Sequence, residues 1–134
     1  MKPFSKLNCL GLAFAGILAT SCTEQPTAVA DYQIVPMPLE MTTPQQNGFL
    51  LKSGETIYYT AGNEKMKKNA EFLASFIKEQ TGIDLKVQEG DKESGIVLKL
   101  GLEANSPEAY RMTVDGKKVV ITAPSEAGVF YGIQ

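Results

Sequence analysis

Hydrophobic and polar positions change rhythm several times along the chain, and each rhythm predicts an element. Leu7 to Ala19 is an apolar run interrupted only by Asn8, and Thr23 to about Ala30 is small and polar around Pro26. From Tyr32 the texture becomes that of a folded domain. "YQIVPMPLEM" alternates apolar residues with Pro, which favours an extended edge segment because Pro cannot donate to a ladder on both sides. "GFLL" and Glu55 to Thr60 are β-rich runs separated by Ser53-Gly54.

Gly62-Asn63 ends that strand rhythm, and Asn63 is a competent N-cap. Met66, Ala70, Leu73 and Ile77 then recur on one helical stripe, with Phe72 and Phe76 widening it and Lys, Glu and Asn opposite. That pattern predicts an amphipathic helix with the two rings in the core. Gly82 stands where a left-handed residue closes a helix, and Ile83 is placed for the hydrophobic contact of a Schellman ending.

Period-2 alternation follows. Ile83, Leu85 and Val87 form one half-buried strand, and Ile96 to Leu100 another after the polar turn "GDKESG". A loop with Gly101, Asn105 and Pro107 leads to Tyr110, Met112 and Val114, alternating with Arg111, Thr113 and Asp115. Asp115-Gly116 is a strong hairpin signal into Lys117 to Thr122. Ser125 then caps a new apolar run with an acid in its first turn. This run reaches Gln134 without a closing Gly, Asn or Pro and without a basic last turn, so either the protein ends in an abrupt, half-made helix or this is the front piece of something longer. Gly128 and Gly132 stand four apart, where close packing of a helix on a sheet needs them. The order β-β-α-β-β-β-β-α implies an α+β sandwich, a mostly antiparallel sheet with helices packed on one face.

The N-terminal run changes the picture of what is folded. Lys2 and Lys6 precede it, and Ala19, Thr20 and Ser21 lead from it into Cys22, the build of an export signal. The run is too short to span a bilayer as a permanent helix. Small residues followed by Cys resemble the lipobox of bacterial lipoproteins, in which the signal is cut before a lipid-carrying Cys. Ala19 departs from the Leu more usual three places before it. The expected organisation is a signal peptide over 1–21, a tether over 22–31 lipidated at Cys22, and a domain over 32–134. Cys9 leaves with the signal, so no disulfide is expected, and the product is exported and anchored to the cell envelope.

Composition narrows the chemistry. Removing Lys2 and Lys6 leaves 11 of the 13 basic residues against 15 acidic ones, a net charge of −4, which offers nucleic acid no electrostatic footprint. The cluster Lys65, Lys67, Lys68 lies beside Glu64 and Glu71 and reads as a solvated helix face. There is no His and no Trp, which removes the usual general base, most zinc sites and the favoured sugar-stacking ring. Glu64, Glu71, Glu79, Asp84, Asp91, Glu93 and Asp115 are scattered over turns and the polar helix face, whereas glycoside chemistry needs two facing carboxyls. "GDKESG" lacks the spacing of a calcium loop, and no Gly-rich phosphate cradle occurs. No catalytic residue, metal or cofactor is expected in this chain.

Two stretches carry a family likeness. "IVPMPLEMTTPQQNGFLL" and "EAYRMTVDGKKVVITAPSEAGVFYGIQ" resemble the two ends of the N-terminal, non-catalytic domain of family 20 glycoside hydrolases, the β-N-acetylhexosaminidases. The matching features are I-x-P-x-P before a Gly-led strand, E-A-Y-x-hydrophobic-x-V opening a hairpin, and S-x-A-G-x-F-Y-G-I-Q in the last helix. The resemblance covers about residues 33–134. It implies a sheet with helices on one face, standing beside a catalytic (β/α)₈ barrel in the same polypeptide. It also implies substrate-assisted hydrolysis by an Asp-Glu pair in that barrel. No such pair can be carried onto this chain.

The resemblance thus implies an accessory domain of a lipid-anchored enzyme acting on glycans. The alternatives are a free-standing lipoprotein interaction module and the accessory domain of another glycan hydrolase. Val129, Phe130 and Ile133 are expected to form an apolar patch that a barrel would cover.

Overall fold

The computed structural model describes residues 34, 37–42 and 48–134. The expected signal peptide, the expected tether and Cys22 lie outside the described residues, as does part of the Pro-rich stretch. Among described residues the strands are β1 (Thr56–Tyr59), β2 (Lys86–Glu89), β3 (Gly95–Leu100), β4 (Arg111–Val114) and β5 (Lys118–Ala123). The helices are α1 (Glu64–Thr81) and α2 (Glu126–Ile133).

α1 is the helix that the pattern predicts. Asn63 is extended and its side chain accepts from the amides of Lys65 and Met66 at 3.1 and 3.0 Å, satisfying two donors that the first turn leaves open. Gly82 closes the other end at φ 75°. The ending is the single-bond αL form rather than a Schellman motif. Gly82 N–H donates to the Lys78 carbonyl at 2.8 Å, while Ile83 N–H donates to the Thr81 hydroxyl.

The strands form one sheet in the order β2-β1-β3-β5-β4. The α+β class and the single helical layer agree with the sequence pattern, but the strand directions do not. β1 pairs parallel with both β2 and β3, and β3 pairs parallel with β5; the β4–β5 hairpin supplies the antiparallel pairing. The sheet is therefore mixed and mostly parallel. The cause is α1, which returns the chain to the starting edge of β1, as a crossover between parallel strands must.

"GDKESG" is not a hairpin turn either. Gly90 still bonds the Tyr59 carbonyl at one end of β1, and Gly95 begins β3 back at the level of Thr56. Residues 90–94 thus step across β1 as a strap. They do so on the face away from the helices, where Lys99 pairs with Asp91, and Lys118 Nζ lies 3.3 Å from the Lys92 carbonyl and 3.7 Å from Glu93. Val97, fully buried yet outside the helix-side core, lies on this strap face. At Gly95, φ is +89° and a Cβ would stand 2.5 Å from the Thr56 carbonyl oxygen, so a side chain has no room.

"GFLL" forms no strand. Both edges of β1 are taken, so these residues find no ladder there; Phe49 and Leu51 instead pack on the core. The hairpin at Asp115 is present, but not as a type I′ turn, since neither Asp115 nor Lys117 has positive φ. The Asp115 carboxylate takes the turn amides instead, accepting from Lys117 and Lys118 at 2.7 and 2.9 Å.

The core lies between sheet and helices. Ile57 and Tyr59, Ile96 and Leu98, and Ile121 and Ala123 point from the strands toward Met66, Ala70 and Leu73 of α1 and Val129 of α2. α2 sits close on this surface because of its glycines. A Cβ on Gly128 would stand 2.8 Å from the Ala123 Cβ and 2.9 Å from the Pro107 oxygen, with the Ala109 oxygen against it too. One on Gly132 would meet Ile121 at 2.6 Å and the Tyr110 ring at 3.2 Å.

Helix propensity alone favours Ala over Gly by about 1 kcal/mol. Overpacking against backbone that cannot move typically costs about 1–3 kcal/mol, and at Gly128 it wins. Gly128→Ala is expected to lower the urea midpoint of the chain. Gly132→Ala, which meets side chains, should lower it less, and Gly48→Ala, with nothing within 4 Å, should leave it unchanged. A midpoint unmoved or raised in Gly128→Ala would refute the close seating of α2.

Candidate functional site

The residues most able to do something beyond folding gather where the N-termini of α1 and α2 meet. Asn63 holds the two together. Its oxygen caps α1, and its Nδ2 donates to Glu126 Oε1 at 2.9 Å. Asn69, further along α1, donates from Nδ2 to the Glu126 carbonyl at 2.9 Å. Ser125 caps α2 by accepting from Gly128 N–H at 3.2 Å, and its hydroxyl donates to the Pro107 carbonyl at 2.6 Å. A caps-and-amides lattice thus ties both helix starts to each other and to the loop before β4.

Between the helices runs a shallow groove of about 400 Å³, lined by Lys65, Lys68 and Asn69 on one side and by Ser125 to Ala127 and Phe130 on the other. Glu126 is its one carboxylate. The bond from Asn63, then its own backbone amide and the Lys65 charge, hold Glu126 below the ordinary glutamate range. A general acid needs the opposite shift, and glycoside cleavage needs a second carboxyl across the bond. The groove supplies neither.

The other candidate acids lie elsewhere. Asp84 pairs with Lys78 at 2.7 Å, Asp91 and Glu93 hold the strap, and Asp115 holds the hairpin. Glu64, Glu71 and Glu79 are exposed on α1. Glu89 accepts from the Tyr59 hydroxyl at 3.4 Å and from Gly62 N–H at 3.3 Å. Burial and then the Glu89 charge push the Tyr59 phenol up. No group of three metal-capable side chains occurs among the described residues, and none of their helices is long and apolar enough to cross a membrane.

The three residues expected on an apolar patch do not share one surface. Val129 is not available to any partner: it is fully buried in the core. Ile133 is half-buried against that core, and Phe130 alone of the three is exposed. The helical phase explains this, because Val129 and Ile133 share the sheet-facing arc with Gly128 and Gly132.

Phe72 and Phe76 are likewise not core residues. They stand one position before Leu73 and Ile77, about 100° round the helix, and are 41% and 49% exposed. Phe72 stacks on Phe76 with centroids 6.2 Å apart and meets Phe130 at 5.4 Å; Phe130 meets Tyr131 edge-on at 6.4 Å. The outer surface of the helix layer is therefore a joined band of four rings. The sequence signal for it was the i, i+4 spacing of Phe72 and Phe76 off the buried stripe.

Comparison with known proteins agrees with this architecture. The family model described as glycosyl hydrolase family 20, domain 2, matches residues 31–134. A beta-hexosaminidase of Porphyromonas gingivalis is 26% identical over 125 residues, which are 88% of this chain and 16% of that protein. A mutant Streptomyces plicatus beta-hexosaminidase, solved with its product GlcNAc, superposes with a TM-score of 0.70 at 24% identity, over 81% of this chain and 21% of that one. The GH20 beta-N-acetylhexosaminidase of Streptomyces coelicolor A3(2) gives 0.60 at 26% identity, over 68% of this chain and 18% of that one. The chain thus spans about a fifth or less of the length of these relatives.

The Asn63–Glu126 bond predicts a pH signature. A carboxyl held below its unfolded pKa adds stability above the unfolded value, and that stability is lost as pH falls through the folded value. Glu126→Gln keeps an acceptor for Asn63 but removes the charge. Wild type should exceed this variant in urea midpoint at neutral pH, and the gap should close on acidification below the ordinary glutamate range. A gap constant with pH would refute the charged bond. Asn63→Asp should keep the cap of α1 yet set two carboxylates face to face, lowering the neutral-pH midpoint.

Proposed function

Because the chain belongs to the domain 2 family of glycosyl hydrolase family 20, we propose that residues 32–134 serve as the accessory domain of an exported β-N-acetylhexosaminidase. Catalysis is carried by a (β/α)₈ barrel in residues this chain does not include. The supporting observation is the family match along 31–134 in a chain that spans 16–21% of the hexosaminidases it resembles. A domain of this family normally accompanies a catalytic barrel in the same polypeptide. The domain's role is mechanical: it orients and steadies the barrel, while Glu126, Asp91 and Asp115 serve its own helix starts, strap and hairpin turn.

In this reading the substrate is a glycan ending in an N-acetylhexosamine, met by the barrel. Cys22 carries the lipid that holds the enzyme to the cell envelope, and residues 23–31 give the domain reach from the membrane. A single lipid signal of this kind anchors through apolar burial rather than through a spanning helix.

The reading is tested by comparing purified residues 22–134 with the product of the uninterrupted gene on a chromogenic N-acetylglucosaminide. The longer protein should turn the substrate over, and the chain alone should not. Turnover by the chain alone, or a native stop codon after Gln134, refutes the accessory role. The anchor is tested separately by growing cells with an alkyne fatty acid. Label should appear on the wild type and vanish in Cys22→Ser, with the protein moving from the membrane to the soluble fraction; an unlabelled wild type refutes lipidation.

A further inference from the structure

The sheet has two edges, and they are finished differently. At one, β2 has a single apolar residue, Val87, which packs on the core. At the other, β4 is exposed along its whole length. Met112 stands opposite Ile121 and Val114 opposite Val119, on the helix side of the sheet. α2 lies over β5 and β3, and it leaves these two side chains 46% and 45% exposed. The hairpin fixes which way the β4 backbone points. Asp115 N–H donates to the Lys118 carbonyl, and bonded pairs alternate along an antiparallel ladder, so Thr113 and Arg111 also bond toward β5. The N–H and C=O groups of Met112 and Val114 therefore point away from the sheet. β4 has no Pro and no bulge to blunt that edge, the devices by which edge strands are usually kept from pairing.

We propose that β4 pairs antiparallel with β4 of a second copy of this chain, about a two-fold axis at Thr113. One register satisfies backbone and side chains together. Met112 meets Val114 of the second copy, and these are the residues whose outward groups can exchange both bonds of a hydrogen-bonded pair. On the helix side the two apolar side chains then cover each other. On the strap side Arg111 falls opposite Asp115 of the second copy. Arg111 makes no ion pair among the described residues. The turn amides take Oδ1 of Asp115, which leaves Oδ2 for a guanidinium. An axis at Val114 would set Arg111 against Lys117, and one at Met112 would set Asp115 against Ala109. The edge thus carries its own complement in charge, shape and backbone phase, which favours a second copy over an unrelated strand. With 4 residues the ladder is short, so the pairing is weak and depends on concentration.

Cross-linking tests this in the product of the uninterrupted gene, in a Cys22→Ser background and against the same protein with no added Cys. At the axis the pair is not hydrogen-bonded, so its Cα atoms stand about 4.5 Å apart, a span that a disulfide bridges. On mild oxidation Thr113→Cys should give a linked dimer, severalfold more than Lys86→Cys on the β2 edge, with a yield that rises with protein concentration. Three second substitutions should each lower that yield severalfold. Val114→Pro removes an outward N–H that the chain's own sheet does not use. Met112→Lys places a charge where Val114 of the second copy would pack. Arg111→Glu sets like charges opposite each other. No dimer at any concentration, equal yields from Thr113→Cys and Lys86→Cys, or a yield that none of the three substitutions changes overturns the pairing. A yield lowered by Met112→Lys but not by Arg111→Glu overturns this register. A Thr113→Cys that a maleimide cannot reach in monomeric protein assigns the edge to another part of the same polypeptide, and overturns the second copy.

Discussion

The distance between α2 and the sheet is the constraint on which the rest of the domain depends. It is set by two missing side chains, at Gly128 and Gly132, over β5, Tyr110 and the loop at Pro107–Ala109. With the helix this low, Val129 reaches the core beside Ala123, and the Ser125 hydroxyl reaches the Pro107 carbonyl. The same seating brings the start of α2 level with the start of α1, which puts Glu126 within reach of Asn63 and Asn69. A methyl group at Gly128 would lift all of these together. An 8-residue helix has little stability of its own, so its place is kept by this contact and by the amide lattice at its first turn.

Asn63 shows why that lattice needs an amide. As an N-cap it must accept, and Asp, Ser or Asn would serve equally. As a link to Glu126 it must also donate, which a carboxylate cannot do. Asn does both at once, with its oxygen turned to α1 and its nitrogen to α2. The two helices therefore behave as one layer rather than two independently docked rods. Phe72 and Phe130, one from each, meet across the seam on the outside.

Much of this was legible in the sequence, and the gaps have physical causes. Asn63 and Gly82 bound α1 because caps are local: a residue type and a backbone angle decide them. Gly128 and Gly132 signalled close packing because an absent side chain has few other uses in a helix. Strand direction was not legible, because alternation reports which face a residue occupies and says nothing of its neighbour. Ile83–Val87 and Ile96–Leu100 read as successive strands across a polar turn, yet β1 lies between the strands they contribute to. The strand–helix–strand order from β1 through α1 to β2 was the available clue to parallel pairing. "GFLL" failed for a related reason: β propensity cannot show that both edges of its sequence neighbour are already occupied.

The aromatic residues were misplaced by a subtler error. A helical stripe wide enough to include Phe72 and Phe76 is wider than one sheet can cover. Met66, Ala70, Leu73 and Ile77 fill the arc facing the strands, and the two rings fall about 100° away, beyond it. The same reasoning separates Val129, which goes inward with the glycines, from Phe130, which cannot. A domain closed on its own terms would put polar residues on that outer arc, as α1 does at Glu71 and Glu79. Four connected rings there cost solubility and add nothing to the core that Leu73 and Val129 have already sealed. The four rings therefore lie outside the domain's own packing, on the face opposite the strap, because helical phase and not hydrophobicity decides which side chains the sheet can cover.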